Sequence, residues 1–236
     1  MAQKPKSTPG KKKKNKADLT REAYNNIRRM IFLNELQPDQ KVAYRDMANR
    51  LGMSLTPVVQ ALKHMEFLGL LRHEPNRGFF VQPIDTENIT EAYELREIVE
   101  INLIPGVVGQ LDKDSEIRLN AAMNAYLKAC RTGSLKLRLA KDINFHITLA
   151  EISNRPLSIR ILSYLLDFLY LRFEKELIFS RPQETAIREH QQIVDAVMAR
   201  QTRTAQRAMR DHIRNIRNNV LQDLKTRLLE AEEIHI

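Results

Sequence analysis

Residues 45–81, RDMANRLGMSLTPVVQALKHMEFLGLLRHEPNRGFFV, decide the fold of the first third of this chain. A short helix is read from Tyr44 to Leu51, ending at Gly52, whose missing Cβ permits a left-handed cap. Ser54 stands as N-cap of the next helix, and Pro57 falls in its first turn, where no backbone N–H is required. That helix sets Val58, Ala61, Leu62 and Met65 on one apolar face and stops at Gly69. The runs LLRH and GFFVQP follow, separated by Glu74-Pro75-Asn76-Arg77-Gly78, and predict a β-hairpin with a glycine in its turn. Upstream, residues 19–34 place Leu19, Ala23, Ile27, Met30 and Ile31 at helical spacing. Helix, short helix, tight turn, helix and hairpin is the order of a winged helix-turn-helix, here spanning 18–83. Such a unit lays its third helix in the DNA major groove and touches backbone or minor groove with its hairpin wing.

The charge agrees with a polyanionic partner. The 236 residues carry a net +9. Residues 1–17 hold seven lysines and no acid, reading as a disordered basic arm. Residues 18–83 hold nine basic against seven acidic groups, and 84–236 hold 22 of each. No run of about 18 apolar residues occurs, so no membrane span is expected. The start MAQKPKSTPGKKKKNK lacks the apolar segment of a secretory signal. A single cysteine, Cys130, excludes an internal disulfide framework and fits a reducing cytoplasm.

From Asp85 onward no strand pattern appears. Thr86 is read as an N-cap, followed by an apolar face of Ile89, Ala92, Tyr93, Leu95, Ile98 and Val99, which Pro105 and Gly106 are expected to kink or break. Further helices are predicted near 107–111, 114–132, 134–153, 156–180, 183–200 and 202–232. The expected fold is mainly α, an antiparallel all-helical bundle of six or seven helices over 84–236 behind the winged helix. Asp142 and His146 sit four apart in KDINFHITLAEISN, so both side chains point the same way on a helix. His190 and His212 lie in two further amphipathic segments. One carboxylate and three imidazoles converging inside such a bundle suit a divalent metal.

The stretch opening this section resembles the DNA-binding domain of GntR-type bacterial repressors, over roughly residues 20–82. Arg45 matches an arginine usual early in the second helix of that family. The family favours Ser-Arg-Thr-Pro-Val-Arg at the start of the recognition helix, where this chain has Ser54-Leu55-Thr56-Pro57-Val58-Val59. Two arginines that read guanine edges are thus replaced by Leu55 and Val59. Ser54, Thr56, Lys63, His64, Arg77 and Gly78 remain as candidate DNA contacts beside Arg45, with an ordinary solvated face the alternative for Lys63 and His64. ELREIVE, DINFHITLAEISNRPL and EHQQIVDAVMARQTRTAQRAMRDHI are similar to the FCD effector domain of the FadR branch, over about 86–222. That resemblance implies Asp142, His146, His190 and His212 as metal ligands, with Zn²⁺ first and Ni²⁺ or Mn²⁺ compatible with the same donors. His73 and His235 carry no such implication.

Arg96 matches a position that often faces the family's pocket, where a guanidinium beside a metal would grip a carboxylate. The alternative is an i,i+4 ion pair with Glu100. Tyr93, Glu100, Asn144 and Arg172 are weaker pocket candidates. The expectation is a cytoplasmic, nucleoid-associated homodimeric transcriptional repressor. It would bind a palindromic operator in double-stranded DNA and respond to a small organic or sugar acid. It would be no enzyme. The competing readings are a metal-dependent hydrolase and a metal-stabilised scaffold with a degenerate DNA-binding module.

Overall fold

The computed structural model describes residues 15–33, 35–83, 86–172 and 183–234. Six lysines of the basic arm, the last residues of the helix expected over 156–180, and His235 lie outside them, as does the side chain of Arg172. The chain divides into two compact units between Val81 and Gln82.

In the first unit, α1 (Lys16–Phe32) starts at Asn15, whose side chain accepts from the Asp18 amide at 2.8 Å. It buries Ala23, Ile27, Met30 and Ile31. The second helix, α2 (Tyr44–Leu51), ends at Gly52 with φ 62° and ψ 34°. Helix α3 (Leu55–Phe67) packs Val58, Ala61, Leu62 and Met65 against α1. Ser54 takes the extended conformation of an N-cap, but its side chain makes no capping bond.

The expected hairpin is present as β2 (Leu71–Glu74) and β3 (Gly78–Val81), in antiparallel register from Leu71↔Val81 to Glu74↔Gly78. Asn76 (φ 62°) and Gly78 (φ 100°) turn the chain. A strand the sequence did not reveal, β1 (Lys41–Val42), pairs with β3 and completes a three-stranded sheet of order β1-β3-β2. Two residues are too few to show a period, so β1 is defined by its partner and by Val42, which is buried.

The second unit contains six helices among the described residues: α4 (Thr86–Gly109), α5 (Lys113–Thr132), α6 (Leu135–Ile152), α7 (Pro156–Arg172), α8 (Gln183–Met198) and α9 (Thr202–Ile234). None is long and apolar enough to cross a membrane. Asp112 and Ser115 form a reciprocal capping box at α5, Ser134 caps α6, and Pro156 opens α7. Helix α4 packs against α6, α7, α8 and α9, which puts its buried residues at the centre of the bundle.

The break expected at Pro105-Gly106 does not occur. Helix α4 runs through both residues, and the separate helix expected at 107–111 is its last turn. Leu103, Ile104, Val107 and Val108 are all buried, and their packing outweighs the hydrogen bond that Pro105 removes. Gly106 serves close approach: a Cβ there would lie 3.1 Å from the Ser153 carbonyl oxygen at the end of α6. Thr86, expected as N-cap, is the first residue of the helix.

Two other glycines should respond oppositely to alanine. A Cβ at Gly133 would sit 2.5 Å from the Ala129 carbonyl, whereas nothing lies within 4 Å of one at Gly109. Gly133→Ala is expected to cost about 1–3 kcal/mol. Gly109→Ala should be neutral or stabilise by up to about 1 kcal/mol. Urea unfolding midpoints of the two variants check the contrast.

Candidate metal centre and nucleic-acid interface

Asp142 and His146 lie one turn apart on α6 and are both buried, His146 completely. Helix α8 brings His190 and α9 brings His212, each with no exposed surface. One nitrogen from each of the three imidazoles falls within 4.8 Å of the other two. The His146 and His212 Nε2 atoms are 3.3 Å apart. Asp142 Oδ1 stands 3.2 Å from His190 Nε2, and Oδ2 stands 4.0 Å from His146 Nε2. Phe145 meets the His146 and His190 rings edge-on, and Tyr126 covers His190 at 4.4 Å between centroids.

What the other ring nitrogens do fixes the tautomers. His190 Nδ1 lies 2.8 Å from the Ala186 carbonyl oxygen, which can only accept, so Nδ1 carries the proton. His146 Nδ1 faces Glu100 Oε2 at 2.6 Å and His212 Nδ1 faces Glu189 Oε2 at 2.9 Å. Both carboxylates accept, so these nitrogens donate as well. Asn215 holds Glu189 from the other side at 2.9 Å. Burial pushes His146 below its ordinary value despite the attraction of Glu100. Burial and then His190 push His212 down to about 3. The Nε2 atoms of these two rings therefore present bare lone pairs. His190 Nε2 is buried beside the Asp142 carboxylate with no hydrogen-bond partner. Two such acceptors facing each other at 3.3 Å, as on His146 and His212, repel unless a cation lies between them. About 3.3 Å is also the edge between two nitrogens at the usual Zn–N distance in a tetrahedral site. The donor set fits a divalent metal.

A second polar chain adjoins this cluster. The buried Arg96 places Nε 2.5 Å from Glu100 Oε1 and donates from a terminal nitrogen to the Tyr170 hydroxyl at 3.1 Å. Tyr170 in turn donates to Asp142 Oδ2 at 2.8 Å. Burial would raise the Glu100 pKa, but His146 and Arg96 outweigh it and hold the carboxyl at about 2. Asp142 is likewise held far below the usual carboxylate range by the surrounding imidazoles and Arg96, against burial. Two donors in this region have no partner: the other terminal nitrogen of Arg96, and the Tyr93 hydroxyl.

The sequence candidates sort accordingly. Asp142, His146, His190 and His212 come together, and Arg96 and Tyr93 lie beside them on α4. Arg96 also makes the intrahelical pair with Glu100 that was its alternative, so the two readings coexist. Glu100 is not free to hold an effector in the way expected, because its two oxygens are engaged by Arg96 and His146. Asn144 is exposed and outside the pocket, since two residues from each of Asp142 and His146 is about 200° around a helix. Glu189, Asn215 and Tyr170 escaped the sequence reading. Glu189 adjoins His190 and Asn215 is three after His212, but only the tertiary structure pairs them.

In the first unit, Arg45, Ser54, Thr56, Lys63 and His64 are exposed, and the His64 ring lies 5.4 Å from that of Tyr24. Arg77 is exposed on the wing, ion-paired to Glu74 and 5.1 Å from the Phe80 ring. A groove of about 480 Å³ runs between the start of α2 and the wing tip, with Lys41, Arg45, Arg77 and Gly78 in its lining.

A winged helix-turn-helix followed by a helical bundle with a buried histidine cluster defines a class of bacterial regulator. Residues 19–81 match the family described as bacterial regulatory proteins, gntR family, and residues 91–215 match the FCD domain. This chain belongs to the GntR family and is a transcriptional regulator with an FCD domain. It is 23% identical to the HTH-type transcriptional regulator YdhC of Bacillus subtilis strain 168, over 89% of this chain and 92% of that protein. It is also 23% identical to the transcriptional regulator McbR of Escherichia coli K12, over 77% and 81%. The solved structure of E. coli McbR/YncC superposes with TM-score 0.75 at 18% identity, covering 87% of this chain and 98% of that one. A GntR regulator from Rhodococcus sp. RHA1 gives 0.72 at 23% identity, over 86% and 97%.

The buried imidazoles predict acid sensitivity. Their unfolded values stand near 6.5, and folding lowers His146 and His212. Below pH 6.5 the unfolded chain takes up protons that the folded site refuses. Stability is therefore full above about pH 6.5 and falls with pH, for His212 down to about 3. Each imidazole contributes up to about 1.4 kcal/mol per pH unit. Glu100, lowered from 4.5 to about 2, adds the same sign at lower pH. Urea midpoints of chelator-treated protein from pH 8 to 4.5 measure this, and a flat profile would contradict neutral buried imidazoles.

Proposed function

We propose that this regulator is a homodimeric, metabolite-responsive repressor whose bundle binds one divalent metal and a small carboxylate effector. The observation that carries the metal is the convergence of Nε2 lone pairs and Asp142, each Nδ1 being tied to an acceptor. Asp142, His146, His190 and His212 are its ligands, and Glu100, Glu189 and the Ala186 carbonyl fix the rings. Zn²⁺ suits imidazole and carboxylate donors best, with Ni²⁺ and Mn²⁺ compatible. When bound, the metal supplies Lewis-acid affinity for a carboxylate oxygen.

The chain's own contribution to the effector is a pair of unmet donors. A buried guanidinium nitrogen and a buried tyrosine hydroxyl without partners cost stability in the free protein. They are satisfied by an acid seated beside the metal, held by charge-assisted hydrogen bonds from Arg96 and Tyr93. A small organic or sugar acid meets this chemistry. Its effect on DNA binding requires different affinities for the two states of the dimer. A palindromic operator follows from the two-fold symmetry of such a dimer, and the protein works in the cytoplasm at the nucleoid. The hydrolase reading lacks a base: among the described residues, Asp142, Glu100 and Glu189 are each engaged by protein donors.

Mass spectrometry of untagged protein should find about one divalent metal per chain, lost in His146→Ala/His190→Ala. Wild type that stays metal-free after metal is added back would overturn the site. Tyr93→Phe should leave the free protein as stable or slightly more so, because the lost hydroxyl has no partner. It should weaken carboxylate binding about tenfold, the weight of one hydrogen bond to a charged group. Isothermal titration with a panel of organic acids separates the two effects.

A further inference from the structure

The outward face of α3 has an unusual chemistry for a helix that reads DNA. Its exposed and half-exposed positions are Leu55, Thr56, Val59, Gln60, Lys63, His64, Glu66 and Phe67, with no arginine among them. Leu55, Thr56 and Val59 fall within about 100° of one another around the first turn and a half. Leu55 is 45% exposed. Gln60 is committed in part, since its Oε1 accepts from Thr20 on α1 at 2.8 Å. That contact uses one of the two lone pairs of the Gln60 carbonyl oxygen and ties the side chain to α1. The N-terminal part of a recognition helix is what meets base edges, and here it offers methyl groups.

We propose that α3 reads thymine: Leu55, Val59 and the Thr56 methyl pack on thymine 5-methyl groups in the major groove. The operator half-site then carries A·T pairs where an arginine-bearing helix would select G·C. A thymine methyl is the one apolar group a base pair displays in that groove. Burying it against Leu55 and Val59 removes apolar surface of both partners from water. Lys63 one turn further along and Arg45 on α2 supply sequence-independent charge for the phosphates. Discrimination therefore comes from shape and apolar contact, while charge supplies affinity.

The inference rests on the DNA-binding reading of the first unit, and one experiment separates the two. Binding sites are selected from a randomised duplex library with the full chain at fixed salt. Each thymine of the selected half-site is then replaced by deoxyuridine, which removes the methyl and keeps the hydrogen-bonding edge. The expected result is an A·T-centred half-site. Fluorescence anisotropy should show about fourfold weaker binding at one or two thymines, the weight of one buried methyl-sized group. In Leu55→Ala that penalty should shrink toward one. Leu55→Arg/Val59→Arg should move the selected bases toward guanine. Selected half-sites centred on guanine, or uridine duplexes bound as tightly as thymine ones, overturn the thymine reading while leaving DNA binding intact. Recovery of no preferred sequence overturns both.

Discussion

The bundle is organised around a carboxylate that has no access to water. Glu100 lies at the centre of α4, and its two oxygens are divided between Arg96 on the same helix and His146 on α6. Taking such an ion out of water costs several kcal/mol, and the cost is met only while both partners stay in place. That constraint orients the rest. His146 is turned so that Nε2 faces His212 and Asp142. Arg96 is held so that it reaches Tyr170, and Tyr170 ties Asp142 to the same network. The imidazoles, the aspartate and the guanidinium thus form one connected polar core in which moving any member disturbs the others.

A polar core of this kind is poor as a source of stability. Its favourable geometry is incomplete: Nε2 lone pairs face one another, and two donors lack acceptors. The network lies where α4, α6, α8 and α9 meet. The winged unit is organised differently, around an apolar core with its chemistry on the outside. The outward face of α3 is apolar over its first turn and a half and basic one turn later.

The readable parts of the sequence were those governed by local backbone chemistry. Gly52, Gly69 and Gly78 mark turns and caps because few other residues tolerate a positive φ, so the order of helices and hairpin is legible locally. The two-residue strand β1 did not, since nothing local distinguishes it from a loop and its partner is 37 residues away. Pro105 misled for the complementary reason. Its cost is local, but burial of the residues around it decides the outcome. Of the site, Asp142 and His146 were legible as neighbours on one helical face, and the same arithmetic should have placed Asn144 on the opposite face.

By itself the sequence determined which groups could meet: it put a carboxylate and an imidazole one turn apart, two more imidazoles on later helices, and an arginine four residues from a glutamate. These are consequences of helical period and residue chemistry, which act within a few residues. The tertiary structure decided which nitrogen of each ring points inward and that Glu100 orients a histidine instead of facing a ligand. It also brought Tyr170, Glu189 and Asn215 to complete the network. Those choices depend on contacts between helices distant in sequence. Only packing sets them, because a hydrogen bond requires its partners within about 3 Å, a condition no spacing along the chain specifies.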